Sequence, residues 1–231
     1  MPNHTDIYNT QADTYEQLIS KQRSLLDRIE SVRPIGGLDV LDLGAGTGRF
    51  SAMLAPKARS LVALDASEAM LRVTAARLAE AGHANWRTGT ADHRSLPIAD
   101  NSIDLVVSGW SICYIASSNV PNWERNLQKT MDEIDRVLKK DGTVIIFETL
   151  GTGVEQPQPP DFLKAYYRQL EEAYGFTHAA YRTDYRFESP EEAERLTRFF
   201  FGDTLAEVVR HNRWSVVPEC AGMWWRHRAK Q

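Results

Sequence analysis

Three glycines and two aspartates carry the first chemical suggestion in this sequence. Residues 40–50 read VLDLGAGTGRF: an apolar run, then Gly44, Gly46 and Gly48 at every second position, then a helical pattern from Arg49 onward. Glycine tolerates positive φ and has no Cβ, so such a loop turns sharply and lets a ligand lie against the backbone. A strand, a glycine loop and a helix in that order make a nucleotide-type cradle. A dinucleotide fingerprint would require glycine at position 49, which is Arg. Asp42 stands two positions before Gly44. A pyrophosphate prefers uncovered amides and no nearby anion, whereas a carboxylate suits a ligand with a positive end. A second acid, Asp65, closes the next apolar run and follows Gly44 by 21 positions. That is the ~20-residue interval from a first glycine to a ribose-binding carboxylate. A carboxylate accepts from both ribose hydroxyls. The plainer alternatives for Asp65 are a helix cap or a solvated loop position.

The glycine stretch resembles motif I of the class I S-adenosylmethionine (SAM)-dependent methyltransferases, and other segments follow in that family's order. LPIADNSID at 96–104 resembles its L-P-F-x-D-x-S-F-D stretch, and EIDRVLKKDGT at 133–143 resembles E-x-x-R-V-L-K-P-G-G, with Asp141 in place of a glycine. Tyr8 and Tyr15 match the Y-x6-Y spacing of a helical lid over the cofactor, although both could simply pack a helix. The resemblance covers about residues 8–150. It implies an α/β fold: a Rossmann-like, seven-stranded, mostly parallel sheet with helices on both faces. An N-terminal helical lid and a helical insertion between strands 5 and 6 complete it. It also implies SAM as cofactor, S-adenosylhomocysteine as product, and methyl transfer to a small-molecule acceptor. The implied cofactor contacts are Tyr8 and Tyr15 from the lid, and Asp42, Gly44, Ala45, Gly46 and Gly48 from the loop. Further along they are Asp65, Ala66 and Met70, then Ala91, Asp92 and His93, then Ser108. Asp92 takes the place of the acid that accepts from the adenine amino group, with the His93 amide donating to N1. Aspartate also starts turns well, which would explain Asp92 without a ligand.

In open α/β sheets the ligand lies outside the carboxyl ends of the strands, which brings residues 108–114 to the acceptor. No Asn-Pro-Pro-Tyr run stands there. Trp110 and Tyr114 either wall an apolar or aromatic substrate or pack the core. Tyr166 and Tyr181, with Tyr167 and Tyr185, are the aromatic candidates further on. Glu148, at the end of the fifth strand, reads as a substrate-binding group, a general base or a loop carboxylate. His178 reads as a proton acceptor or a structural histidine. The sulfonium carbon of SAM is already activated, so positioning the acceptor is the protein's main task. A base is needed only if the acceptor must lose a proton. The absence of a catalytic triad therefore does not argue against an enzyme. The alternatives are a non-catalytic SAM-binding protein and a nucleotide-dependent oxidoreductase; Arg49 and Asp42 count against the latter.

The elements that must hold these residues follow from composition and periodicity. The chain has 231 residues, 42% hydrophobic and 25% charged, enough for one α/β domain with additions. A net charge of -4 disfavours non-specific nucleic-acid binding, which depends on basic side chains. No run approaches the ~20 apolar residues of a membrane span, and the first residues lack a secretory pattern. Two cysteines and six scattered histidines form neither a disulfide framework nor a metal-ligand spacing. The expectation is a cytoplasmic single domain, monomer or homodimer, with no metal, nucleic acid or membrane partner. Its expected parts are a lid over 1–34, a SAM-binding core over 35–150, a substrate-side insertion over 151–188, and a C-terminal helix and strand hairpin over 189–231. Parallel strands are expected at 40–43, 60–65, 86–93, 104–108 and 143–147, and the closing hairpin at 214–218 and 222–226. Helices are expected at 123–139 and 161–173, and from 189 onward, where Gly202 divides the last.

Overall fold

A computed structural model describes residues 2–228. Met1 and residues 229–231, the outer ends of the expected lid and hairpin units, lie outside the described residues. Three short helices come first: α1 (His4–Thr10), α2 (Ala12–Ile19) and α3 (Leu26–Val32). Asn3 caps α1 by accepting from the Thr5 and Asp6 amides, which satisfies donors that a helix start leaves unpaired. Strands and helices then alternate: β1 (Asp39–Leu43), α4 (Arg49–Leu54), β2 (Ser60–Asp65), α5 (Glu68–Glu80), β3 (Trp86–Thr90) and β4 (Ile103–Gly109). A short α6 (Cys113–Ala116), α7 (Trp123–Val137) and the long β5 (Leu138–Thr152) complete the parallel part. The chain finishes with α8 (Asp161–Glu172), β6 (Thr177–Arg182), β7 (Tyr185–Arg186), α9 (Pro190–Phe201), α10 (Asp203–Asn212), β8 (Val216–Val217) and β9 (Glu219–His227).

Seven strands form one sheet in the order β3-β2-β1-β4-β5-β9-β6. All neighbours from β3 to β5 are parallel, and β9 runs antiparallel between β5 and β6. Central strands buried on both faces need near-continuous apolar runs, which 40–43, 61–64 and 105–107 supply. On one face, Leu41, Val106, Ile146 and Trp224 pack against Met131 and Ile134 of α7 and Leu163 and Leu170 of α8. On the other, Val40, Leu105 and Phe147 pack against Ile29, Phe50, Leu54 and Leu78. Ser189 caps α9 at the Glu192 amide and Pro190 takes the first helical position. Gly202, at φ 88°, divides α9 from α10, as its backbone freedom suggested.

The end of the sheet differs from the sequence-based expectation. The sixth strand of the sheet is β6, inside the stretch 151–188 read as an insertion. Residues 216–217 instead pair with β7 in a separate two-stranded ribbon. The closing strands are therefore not a hairpin: β6 and β9 are neighbours, but α9 and α10 intervene in the chain. THAAYR escaped notice because β6 is an edge strand, mostly exposed, and shows no apolar run. The third strand ends at Thr90 and not at 93, because Asp92 turns the chain by accepting from the Arg94 amide.

Candidate functional site

The carboxyl ends of β1, β2, β4 and β5 converge on the glycine loop. Gly44, Gly46 and Gly48 have φ values of 77°, 56° and 84°, a region that L-residues with a Cβ occupy only at a cost. Space is the second constraint. A Cβ on Gly44 would lie 1.8 Å from Ser111 Oγ, and one on Gly48 would lie 3.0 Å from the Thr74 side chain. Asp65, at the end of β2, accepts from the Gly46 amide at 2.9 Å and the Ser67 amide at 2.8 Å. It thereby ties the glycine loop to the start of α5. Met70 lies under the same loop, its methyl facing Gly46.

Asp42 is fully buried beneath the loop. Ser51 donates to its Oδ2 at 2.6 Å, while Oδ1 has no partner. Burial pushes its carboxyl up to about 7. Asp92 is exposed, and Arg94 holds both its oxygens through Nε and Nη2, which keeps its pKa down at about 2. The His93 ring, lowered in pKa by burial, reaches over Gly44, its Nε2 2.7 Å from Ser111 Oγ.

The N-terminal helices cover this cradle. Thr47 donates to Glu16 of α2 at 2.5 Å, and Arg77 pairs with the same carboxylate at 2.7 Å. Ser67 bonds the Tyr8 carbonyl and the Asn9 side chain. Tyr8 packs edge-on to Tyr15 at 5.2 Å and its hydroxyl meets that of Tyr114 at 2.5 Å. His4 bonds the Tyr114 hydroxyl and stacks on Phe200 of α9, which also packs on Tyr15. Tyr8 and Tyr15 thus meet Tyr114, which stands far from both in the chain. Two surface hollows, one lined by Ala55, Gly82 and Asn85 and the other by Trp123, Arg168 and Glu172, lie away from this edge.

Residues 41–146 match the family model described as a methyltransferase domain. They are a methyltransferase domain. Over 159 residues the chain is 33% identical to malonyl-[acyl-carrier protein] O-methyltransferase of Pectobacterium atrosepticum, covering 64% of this chain and 57% of that protein. It is 35% identical to demethylmenaquinone methyltransferase of Clavibacter sepedonicus over 139 residues, 59% of this chain and 52% of the other. The chain thus spans about half the length of these curated relatives. Among solved structures, phosphoethanolamine N-methyltransferase 2 of Haemonchus contortus, in complex with phosphomonomethylethanolamine and S-adenosylhomocysteine, superposes with a TM-score of 0.64. It shares 18% identity over 99% of this chain and 59% of that one, a likeness of fold.

Beyond its cradle, the methyltransferase domain holds a second group of polar atoms that pattern reading missed. Trp110, directly after β4, adopts φ 50°, unusual for an aromatic residue. Its ring stacks with Phe50 and Phe147. The Arg49 guanidinium lies 4.4 Å over that ring, and Nη1 donates to Gln22 Oε1 at 2.6 Å. Glu219, the first residue of β9, is buried. Its Oε1 accepts from Thr149 Oγ1, Oε2 has no partner, and burial pushes the carboxyl up to about 8. Glu219 had a signal in the sequence: it is the only charge in the run VVPECAGMWW. Glu16 had none.

Glu148 lies on the opposite face of the sheet, in the core. It accepts from the Cys113 amide at 3.0 Å and from the Tyr166 hydroxyl at 3.3 Å, Oε2 is unpartnered, and burial pushes it up to about 7. Tyr166 is fully buried on α8, and so acts through Glu148 instead of lining an open wall. Ser108 is also fully buried there, its hydroxyl without a partner. Tyr181 packs under Arg28 at 4.3 Å. The His178 ring stacks on Trp224 at 4.4 Å with Glu171 nearby, and its register on β9 sets it two positions below the level of Glu148. The structure separates His178 and Tyr181 from the cradle. Among the described residues no group of three or more acidic, histidine or cysteine side chains could hold a metal ion, and no helix is long and apolar enough to cross a membrane.

Proposed function

We propose that this protein is a SAM-dependent methyltransferase acting on a small-molecule acceptor. The observation that carries this reading is the glycine cradle with Asp65 folded into it from the end of β2. The residues fit the cofactor on three counts. The glycines at 44, 46 and 48 hold positive φ, which lets the loop turn sharply around a ligand. Asp65 spends one hydrogen bond on each oxygen and keeps lone pairs for ribose hydroxyls. Asp42 keeps a buried, unpartnered oxygen under the loop, a fitting neighbour for a protonated amino group. When bound, SAM supplies a sulfonium-activated methyl group that a nucleophile takes by in-line displacement.

The chain's own residues then bind, orient and exclude water. Gly44, Ala45, Gly46 and Gly48 cradle the ligand, Asp65, Ala66 and Met70 flank the ribose, and Ala91, Asp92 and His93 border the adenine. Asp92 Oδ2 accepts only from Arg94 Nη2 and keeps a lone pair for the adenine amino group. Tyr8 and Tyr15 close over the site with α1 and α2. Glu148 orients the 110–116 segment through the Cys113 amide, and Ser108 and Trp110 border the transfer point. With a pKa near 7, Glu148 is able to hold a proton at neutral pH. The named acceptors of the relatives, malonyl-[acyl-carrier protein] and demethylmenaquinone, differ too much in chemistry to choose the substrate here.

Calorimetric titration with SAM, S-adenosylhomocysteine and NADH, on the wild type and Asp65→Ala, tests this reading. Both adenosyl ligands are expected to bind, with affinity at least about tenfold weaker in the variant, because two backbone amides and the ribose lose their acceptor. Binding of NADH alone would overturn it.

A further inference from the structure

Arg49 is a half-buried arginine at the start of α4. Arg77, Arg94, Arg136 and Arg226 each meet a carboxylate. Among the described residues no carboxylate lies within ion-pairing distance of Arg49, and its Nη2 is shielded from solvent without a hydrogen-bond partner. A guanidinium nitrogen in that position is unfavourable unless an anion meets it. Two further unpartnered atoms belong to the same bonded frame. Gln22, which accepts from Arg49, donates to the Thr183 carbonyl at 2.7 Å, and the Thr183 amide donates to the Glu219 carbonyl at 2.8 Å. Thr183 Oγ1 and Glu219 Oε2 are both buried and unpartnered. One connected frame thus offers a cationic donor, a hydroxyl and a carboxyl oxygen beside the flat wall of Trp110.

We infer that Arg49 and Glu219 recognise the methyl acceptor, and that the acceptor is a small molecule carrying a carboxylate or phosphate seated on Arg49. This rests on the methyltransferase reading and deepens it. The planar fork of arginine matches either anion with two parallel hydrogen bonds. Thr183 and Glu219 face a donor group on the same molecule. Trp110 carries the Arg49 guanidinium on its ring, and its left-handed backbone is the kind of strain kept at ligand sites. Of the tyrosine candidates, Tyr166 and Tyr181 take no part in this frame, since Tyr166 is in the core and Tyr181 lies under Arg28, whereas Tyr185 pairs with Gln22 beside it.

The test uses the full chain saturated with S-adenosylhomocysteine, titrated calorimetrically with benzoate, phenyl phosphate and benzamide. At least one anion is expected to bind with Kd on the order of 1 mM, suitable for a fragment of this size, and benzamide about tenfold more weakly. The stronger of the two anions tells carboxylate from phosphate. Arg49→Gln is expected to weaken the anion at least about tenfold, and Arg49→Lys, which keeps the charge but loses the fork, severalfold. S-adenosylhomocysteine should bind both variants as it binds the wild type. Equal binding of benzamide and benzoate, or anion affinity unchanged in Arg49→Lys and Arg49→Gln, would overturn the inference while leaving the cofactor reading intact. Failure of S-adenosylhomocysteine to bind the wild type would remove both.

Discussion

The two edges of the same sheet treat charge in opposite ways. At the amino edge, Asp39 of β1 accepts from Arg59, from Ser60 and from Lys139, and Asp104 of β4 accepts from Lys139 and the Asp39 amide. Every acid there has a cation in contact. At the carboxyl edge, Asp42 of β1, Glu148 of β5 and Glu219 of β9 are buried without any cation in contact, and each keeps an unpartnered oxygen. The amino edge resembles a finished structural joint. The carboxyl edge accepts a cost that only a ligand or a proton can offset. The contrast separates residues kept for stability from residues kept for binding, and each prediction below attacks one side of it.

The largest effect is expected at the glycine loop. Gly44→Ala combines a positive φ with a Cβ that would collide with both Ser111 Oγ and Cβ. Either the loop or the segment after β4 must move, and both border the cofactor. S-adenosylhomocysteine affinity should fall by about 100-fold or more, roughly 2.7 kcal/mol, with thermal stability changed far less. A variant that bound the ligand as the wild type does would show that the close approach at Gly44 is packing alone.

Acid–base behaviour is expected next in size. A carboxyl whose folded pKa is raised contributes stability that is complete below its unfolded value and lost as pH rises through the folded value. Glu148, held near 7, therefore costs the folded state between about pH 4.5 and 7, as do Asp42, also near 7, and Glu219, near 8. Glu148→Gln should remove about 2 kcal/mol of that decline, measured by urea unfolding at pH 5 and pH 8, and leave the share of the other two. An unchanged decline would mean that Glu148 is not protonated in the folded protein at low pH.

These acids also mark where sequence reading works. The cradle was legible because a glycine loop between strand and helix has a local cause: the spacing of Gly44 to Gly48 and Asp65 brings them together where the fold joins loop and strand end. The parallel strands were legible because burial on both faces demands apolar runs. β6 was not, since an edge strand with mostly exposed residues carries no such demand. The partnership of Arg49 with Gln22, Thr183 and Glu219 was hidden for a different reason. It joins four separate segments, and only the crossing of β9 between β5 and β6 brings the last of them near the first. The neighbours of His178, Trp224 and Glu171, were hidden likewise, because the pairing of β6 with β9 sets them.

The smallest effect belongs to the amino edge, and it tests the comparison from the other side. Arg59, beside Asp39, holds its carboxyl well below the usual range, with Lys139 and Ser60 adding to the effect. The shift is downward, so its stabilisation is present above the unfolded pKa of about 3.9 and is lost as pH falls through the folded value. Asp39 and Arg59 both retain contact with solvent, which screens the pair and keeps its worth modest. Asp39→Ala should therefore cost about 1 kcal/mol at pH 7, mostly by leaving Lys139 with Asp104 alone. That loss should shrink in acid, while S-adenosylhomocysteine affinity stays unchanged because Asp39 lies at the far end of β1 from the loop. A comparable loss of ligand affinity would mean that the two edges are coupled through β1, and the division between a structural edge and a binding edge would fail.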